Sequence, residues 1–385
     1  MHFLKILSRN AFRHRLRTLL TIAGITIAIL AFGLLRTVIS AWYAGVNASS
    51  ATRLISRNSI SLIFTLPISY LERVRHVEGV KTVSYANWFG GVYISEKNFF
   101  PNFAIEPHSY LDLYPEFSLP ADQKRAFISD RKGCVVGRKL AERFGWKIGD
   151  AVTLKGTIFP GNWGFVLRGI YSGTEKSTDE AQFFFHWDYL NETLRKTIPR
   201  RADQIGVLII GLKNPQTAAD TSLAVDTLFK NSLAETLTET EKAFQLSFVS
   251  MTEAIVIAIK IVSFVVIIII LAVVANTMAM TARERIGEYA IFKAMGFRSH
   301  HIAGMIFGES LFITMTGGAL GILLTFPVAQ KFGELMGAFF PVFNVEPTTI
   351  YLDIGFSLLV GIIAALFPTW RASTIKIADG LRRIG

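Results

Sequence analysis

The residues that could carry nucleotide or metal chemistry are few and poorly placed in this sequence. The nearest approach to an ATP-binding loop is GCVVGRK at 133–139, but its glycines are four apart rather than five and its lysine follows an arginine. The seven histidines are scattered, and the adjacent His300 and His301 cannot both face one metal ion from a helix. The sequence therefore predicts no nucleotide loop, metal site or cofactor in this chain, and any ATP would be hydrolysed by another chain.

Acidic residues and the single cysteine also lack a catalytic pattern. The candidate acids of the middle segment are Asp112, Glu116, Asp130, Asp150 and Asp179. Nothing in their spacing marks an acid/base pair, so a membrane-bound enzyme stays open but unsupported. Cys134 stands alone, which excludes an intrachain disulfide, and the two valines after it predict a buried strand thiol.

A different chemistry, recognition of a partner, is indicated by the stretch TARERIGEYAIFKAMGF, which begins where a long apolar run ends. Tyr289, Phe292 and Met295, joined by Ile291, recur at three- and four-residue steps, which is typical of one helix face. Arginines and glutamates crowd its start, and Gly296 is placed to end it as a C-cap. The pattern predicts a short amphipathic helix that either packs flat under a bilayer or sits in a soluble partner.

The elements that must position this helix are membrane spans. Half of the residues are hydrophobic, 51%, yet 18% are charged, so the apolar content is concentrated in blocks. A bilayer core of about 30 Å needs about 20 apolar residues per helix. Four spans follow, and the first is expected to stay as a signal anchor. They are predicted at 18–41, 254–282, 302–330 and 350–370.

Basic residues flank these spans and set the predicted orientation. They cluster before the first span, after the second and after the fourth, whereas Lys331 alone lies between the third and fourth. By the positive-inside rule both termini are cytoplasmic. The net charge of +11 is thereby explained without a nucleic-acid partner. The remaining segments are a cytoplasmic interfacial helix at 1–17, an external domain at 42–252, a cytoplasmic segment at 283–301, an external loop at 331–349 and a cytoplasmic tail at 371–385.

The external segment is predicted to fold as an α+β domain between the first and second spans. Two βαβ-like units flank a β-rich inserted subdomain at about 92–200. The expected strands include 59–64, 80–88 and 204–212, with one more near Phe244. The expected helices are 68–76, 217–233 and two stalks that continue the spans, at about 40–55 and 236–258.

Two polar side chains are predicted inside the membrane, Asn276 and Glu309. Glu309 lies about two turns into the third span. There it either contacts a proton or substrate, or is a helix-end carboxylate paired with a cytoplasmic arginine or with water. Gly317 and Gly321 form a small-xxx-small pair in the same span, which allows another helix to approach closely.

The order of these features resembles the permease subunits of FtsX-like, MacB-type ATP-binding-cassette transporters of the type VII superfamily. The family pattern is an Asn in the second span, an Arg, a Glu three residues on and an Ala-x-Gly close. Here it is met by Asn276, Arg285, Glu288 and the Ala294–Gly296 tripeptide, although Tyr289-Ala290 replaces the usual Ile-Gly. The other matching stretches are 13–25, 140–150, 368–373 and 379–382, and the proline expected near Ile377 is missing.

The resemblance implies a non-catalytic permease of the bacterial inner membrane. Its expected partners are an ATPase subunit, a second permease copy and a periplasmic membrane-fusion adaptor, and ATP-driven motion would act on the external domain. The work done is either export of an amphiphilic, peptide or lipid-linked substrate, or a signal relay to an external hydrolase or sensor. The implied ATPase contacts, in a coupling helix, are Arg283, Arg285, Glu288, Tyr289, Phe292, Lys293 and Gly296.

Overall fold

The computed structural model describes residues 12–337, 340 and 342–374, which fall into two compact units. One unit contains the long apolar helices and the other contains the segment between Trp42 and Thr252. The α-helices are α1 (Arg15–Trp42), α2 (Ala44–Ala48), α3 (Tyr70–Arg75), α4 (Tyr110–Leu113), α5 (Ala121–Ser129), α6 (Arg138–Phe144), α7 (Trp187–Thr197), α8 (Ala218–Leu228), α9 (Glu241–Ser250), α10 (Glu253–Glu284), α11 (Ile286–Ala294), α12 (Ser299–Leu335) and α13 (Pro347–Thr374). The strands are β1 (Arg53–Asn58), β2 (Leu66–Pro67), β3 (Val80–Trp88), β4 (Gly91–Val92), β5 (Asn102–Ile105), β6 (Phe117–Ser118), β7 (Gly133–Gly137), β8 (Ala151–Gly156), β9 (Gly161–Gly173), β10 (Phe183–His186), β11 (Gln204–Ile205), β12 (Val207–Leu212) and β13 (Thr236–Thr240).

Four helices of the described chain, α1, α10, α12 and α13, are long and apolar enough to cross a membrane, as the sequence predicts. Their ends run past a bilayer core: α12 has 37 residues, or about 56 Å of helix against about 30 Å of hydrocarbon. Of the predicted interfacial helix, residues 1–11 lie outside the described chain, and α1 begins at Arg15 after a 3₁₀ turn at Phe12–His14. Of the predicted tail, 375–385 likewise lie outside it.

The membrane unit is held together by close backbone contacts at glycines. A Cβ placed on Gly317 would lie 2.8 Å from the Cβ of Ile25, and one on Gly321 would lie 2.8 Å from the Cβ of Ile29. Both isoleucines belong to α1 and are almost fully buried. The small-xxx-small pair therefore admits a helix of the same chain, α1, against α12.

The external unit is built on one mixed sheet with the strand order β13-β1-β12-β3-β5-β10-β7-β9-β8-β4. Its first four strands, β13, β1, β12 and β3, are antiparallel and arise from two interlocked β-α-β units, a ferredoxin-like arrangement. The part between β3 and β12 corresponds to the predicted insertion. Its strands continue the same sheet through the β3–β5 pair, so the insertion shares one sheet with the flanking units.

Three local sequence predictions in this unit are wrong. The strand expected at 59–64 lies at Arg53–Asn58 instead, and Ile60 and Ile63 are exposed on the loop that follows. Residues 236–240, expected in a helical stalk, form the edge strand β13. Phe244, expected near a strand, lies in α9, whose first turn is capped by the Thr240 hydroxyl accepting the N–H of Ala243 at 3.2 Å.

Strand β1, which the sequence prediction misplaced, begins at a buried network of ion pairs. The Arg53 guanidinium donates to Glu241 Oε2 at 2.8 Å and to both carboxylate oxygens of Glu116, at 2.5 and 3.0 Å. It also lies 4.2 Å over the ring of Tyr114. These partners compensate the charge, so a polar residue can begin a buried strand.

Cys134 lies in β7 and is fully buried, as the sequence predicts. Burial raises the pKa of its thiol well above the ordinary value, because the thiolate would lose hydration. We expect no maleimide labelling of Cys134 at pH 8 in the folded protein and full labelling after denaturation, measured by mass shift. Rapid labelling of the folded protein would contradict this burial.

Candidate functional site

The candidate partner helix is separated from the membrane span before it by a single residue. Helix α10 ends at Glu284, and Arg285 leaves the helical conformation with φ −98° and ψ 10°. Helix α11 then begins at Ile286. The break allows α11 to take a direction of its own while both neighbours of Arg285 remain helical.

The other end of α11 is closed by a glycine stop. Gly296 has φ +93°, and its N–H donates to the Lys293 carbonyl at 3.0 Å. The N–H of Phe297 donates to the Phe292 carbonyl at 3.0 Å, and the two rings lie 5.6 Å apart. These bonds and this contact form a Schellman motif, which confirms the predicted C-cap.

One face of α11 is fixed to the membrane unit by a buried ion pair. Arg285 Nη1 donates to Glu309 Oε2 at 2.7 Å, and both side chains are less than a tenth exposed. Tyr289 is buried beside them, and loss of hydration raises the pKa of its hydroxyl to about 12. The ion pair joins the start of α11 to α12, so Glu309 pairs with an arginine, the second of its two predicted alternatives.

Helix α11 and the end of α10 are also tied to the start of α1. Arg17 donates through both Nη atoms to the two carboxylate oxygens of Glu284, each at 2.8 Å. Arg13, in the turn before α1, donates to Glu288 of α11. Such bidentate and charge-assisted bonds fix orientation as well as distance.

A further bond connects α11 to α13. Lys293 Nζ donates to the Ser373 carbonyl at 2.8 Å. Phe292 is half-buried and packs against the apolar core of the membrane unit. Helix α11 is thus attached to three of the four spanning helices, in addition to the chain connection to α10.

The opposite side of α11 and its C-terminal stop carry exposed apolar side chains. Ile291 is 44% exposed, Met295 60% and Phe297 40%. The first two are four residues apart and therefore share one helix face. Sequence reasoning left these three out of the predicted contacts, although the periodic pattern already included Ile291 and Met295.

The predicted contact residues divide between the two sides. Arg285 and Tyr289 are buried inside the membrane unit, where Arg285 pairs with Glu309 of α12 and Tyr289 packs beside them. The predicted residues that are at least partly exposed are Arg283, Glu288, Phe292, Lys293 and Gly296. Direct contact with a partner remains a prediction for all seven residues, and these five are the ones that a partner could reach without a change in the membrane unit.

The two polar residues predicted inside the membrane differ in exposure. Asn276 is exposed on the side of α10 and Glu309 is buried. Sequence reasoning missed Asp353, which is 1% exposed in α13 and has an Oδ1 atom with no hydrogen-bond partner among the described residues. Its signal was available, because Asp353 is the only acidic residue in the predicted span 350–370. The helix itself begins three residues before that span, at Pro347.

Two protein-family models match this chain. Residues 260–377 match the model of the FtsX-like permease C-terminal region, and residues 18–228, more than half of the chain, match that of the MacB-like periplasmic core domain. The chain belongs to the FtsX-like, MacB-type family of ABC transporter permeases. The first match contains the α11 segment and the second contains most of the external unit.

Individual proteins are also similar to this permease. An uncharacterised ABC transporter permease of Methanocaldococcus jannaschii is 25% identical over 97% of this chain and 96% of its own length. The macrolide export ATP-binding/permease protein MacB of Campylobacter fetus is 30% identical over 28% of this chain and 16% of its own. The solved periplasmic region of MacB from Actinobacillus actinomycetemcomitans covers 53% of this chain at 11% identity, with a TM-score of 0.37.

Proposed function

We propose that this permease relays ATP-driven motion of a separate ATPase subunit to the external domain, and thereby exports or extracts an amphiphilic, peptide or lipid-linked substrate. The observation that carries the proposal is the two-sided character of α11. Its inner side is bonded to α12, α1 and α13, and its outer side presents Ile291 and Met295. A partner that pushed on the outer side would move the spanning helices rather than α11 alone.

The chain connections give that motion a route. Helix α1 is continuous from Arg15 to Trp42, where the external segment begins, and α10 is continuous from Glu253, where that segment has ended. At their other ends the two helices are bonded to each other, through Arg17 of α1 and Glu284 of α10, and α10 leads directly into α11. Long unbroken helices carry displacement along their axes because their backbone hydrogen bonds resist compression.

The assembly that we propose is a homodimer or heterodimer of permeases with one ATPase under each copy, working with a periplasmic adaptor. ATP and Mg²⁺ belong to the ATPase, and the permease needs no cofactor of its own. Arg13 and Arg17 lie at the same end of the membrane unit as α11. We place the permease in the inner membrane, where the positive-inside rule favours both termini and α11 in the cytoplasm.

The test replaces exposed apolar residues of α11 by a carboxylate. Met295→Glu and Ile291→Glu should each weaken binding of the ATPase by about 2 kcal/mol or more, roughly 30-fold, because a charge would be desolvated in an apolar contact. The measurement is ATP hydrolysis by the purified ATP-binding subunit, titrated with permease in nanodiscs.

The matched control is Ile148→Glu, the same change at an apolar residue that is 52% exposed in the external unit. It should leave the titration curve unchanged. All three variants should melt like the wild type, since each side chain is already exposed. Normal stimulation by both α11 variants would reject the proposed contact.

A further inference from the structure

A second feature at the α11 end of the membrane unit is a groove between the junction of α10 with α11 and the last turns of α13. Apolar side chains line it, among them Ala279, Ala282 and Pro368. Two arginines, Arg283 and Arg371, complete its lining. The groove therefore combines an apolar wall with two guanidinium groups at the ends of two spanning helices.

These arginines differ from the other basic residues at this end. Among the described residues, the nearby carboxylates Glu284, Glu288 and Glu309 are each bonded to another arginine. Arg283 and Arg371 are exposed, and within the described chain their side chains make no hydrogen bond or ion pair. Among the described residues the nearby acids are thus already paired, and the two guanidinium groups that line the groove have no acidic partner.

Basic residues at the ends of spanning helices are expected from membrane topology alone, where they remain hydrated. Here the two lie on different helices, α10 and α13, and face one groove. Like charges brought together in an apolar lining repel each other unless an anion lies between them. A guanidinium is also the group best matched to a phosphate, since it presents two parallel N–H donors.

We propose that this groove binds the headgroup of an anionic glycerophospholipid, with the phosphodiester held by Arg283 and Arg371. The groove is shallow, so the glycerol and the first carbons of the acyl chains would lie along its surface, against Ala279, Ala282 and Pro368. Juxtamembrane basic pockets between helices favour anionic lipids in this way. Arg283 stays one of the predicted ATPase contacts, so Arg371, which is not one of them, separates lipid binding from ATPase binding.

The experiment compares phosphatidylglycerol with phosphatidylcholine of identical acyl chains, binding to the full purified chain in detergent and read by native mass spectrometry. We expect phosphatidylglycerol to bind the wild type more tightly. Arg283→Gln or Arg371→Gln alone should weaken it roughly fivefold and the double change roughly 25-fold, since each basic group near a bilayer contributes similarly. Arg283→Lys with Arg371→Lys should keep most of the preference, because the charge remains.

Arg298→Gln is the matched control, because it removes the same charge from an exposed residue in the loop after α11. It should leave lipid binding unchanged. The proposal is overturned if the double glutamine variant binds phosphatidylglycerol as tightly as the wild type does. It is also overturned if the wild type binds the two lipids equally. The single variants and the lysine pair decide the question if the double variant does not fold.

Two further measurements test whether the groove binds free phosphate or the ATPase instead of a lipid. Displacement of phosphatidylglycerol by excess inorganic phosphate would show a free-phosphate site and overturn the lipid assignment, whereas retention supports it. A double variant that keeps its lipid preference but no longer binds the ATPase would show a protein contact and also overturn it. The result expected is a weakened lipid preference with ATPase binding retained in Arg371→Gln, the variant that lies outside the predicted ATPase contacts.

Discussion

Replacing Glu309 by alanine is expected to destabilise the membrane unit by about 3–5 kcal/mol, because it leaves the Arg285 guanidinium buried without its carboxylate. The pair is 2.7 Å long and both members are less than a tenth exposed, so water cannot replace the lost partner. Since Arg285 also holds the start of α11, stimulation of the ATPase should fall with stability. The measurements are the melting temperature in detergent and ATP hydrolysis with the partner subunit.

Glu192→Ala provides the matched control. Glu192 also accepts from an arginine, Arg131, at 2.6 Å, but the two side chains are 47% and 67% exposed. An exposed pair contributes at most about 1 kcal/mol. Arg285→Met combined with Glu309→Leu should recover most of the stability, since no unpaired charge is left behind. Equal melting temperatures for Glu309→Ala and Glu192→Ala would contradict the importance of burial.

The second large effect concerns the glycines of α12. Gly317→Ala and Gly321→Ala should each destabilise the unit by about 1–3 kcal/mol, because the added methyl group would force α1 away. At Gly321 the new Cβ would lie 2.9 Å from the backbone oxygen of Thr26, and at Gly317 it would lie 3.0 Å from that of Ile22. Backbone atoms cannot rotate aside as a flexible side chain can.

Gly304→Ala tests the same change in the same helix where nothing lies within 4 Å of the new Cβ. It should stabilise the protein by up to about 1 kcal/mol, because alanine favours helix over glycine. The readout for all three variants is the melting temperature in detergent. The opposite signs are the decisive result, and destabilisation by Gly304→Ala as large as that at Gly321 would remove the packing explanation.

The membrane architecture could be predicted because one physical rule dominates it. Lipid excludes charge over about 20 residues of helix, so four apolar runs define four spans without knowledge of any tertiary contact. Asp353 shows the limit of that rule. A single carboxyl group inside a span is tolerated when helices cover it, and its burial by α1 and α12 depends on packing that no run of letters displays.

The strands of the external sheet were harder to predict from the sequence, because the charged side chains of β1 are not typical of a buried strand. The segment RLISRN reads as polar, yet it forms β1, because Glu116 and Glu241, distant in sequence, neutralise Arg53. The next segment reads as a strand from its apolar residues, but Ile60 and Ile63 remain exposed. Pairing partners far along the chain decide such cases.

The sequence predicted where α11 lies and that Gly296 ends it. It did not predict which side chains of α11 face the spanning helices and which are exposed. Arg285 and Phe292 belong to one amphipathic pattern, and the pattern alone does not say which side faces the bundle. Glu309, 24 residues after Arg285 in the chain, decides it by forming the ion pair. Ile291 and Met295 are thereby left on the outside.

The order of the strands bears on how this permease avoids self-assembly through its external unit. The mixed sheet ends in β4 on one side and β13 on the other, and these have two and five residues. Short edge strands offer few free N–H and C=O groups to an incoming strand. Neighbouring copies of the external unit therefore have little tendency to join edge to edge into fibrils.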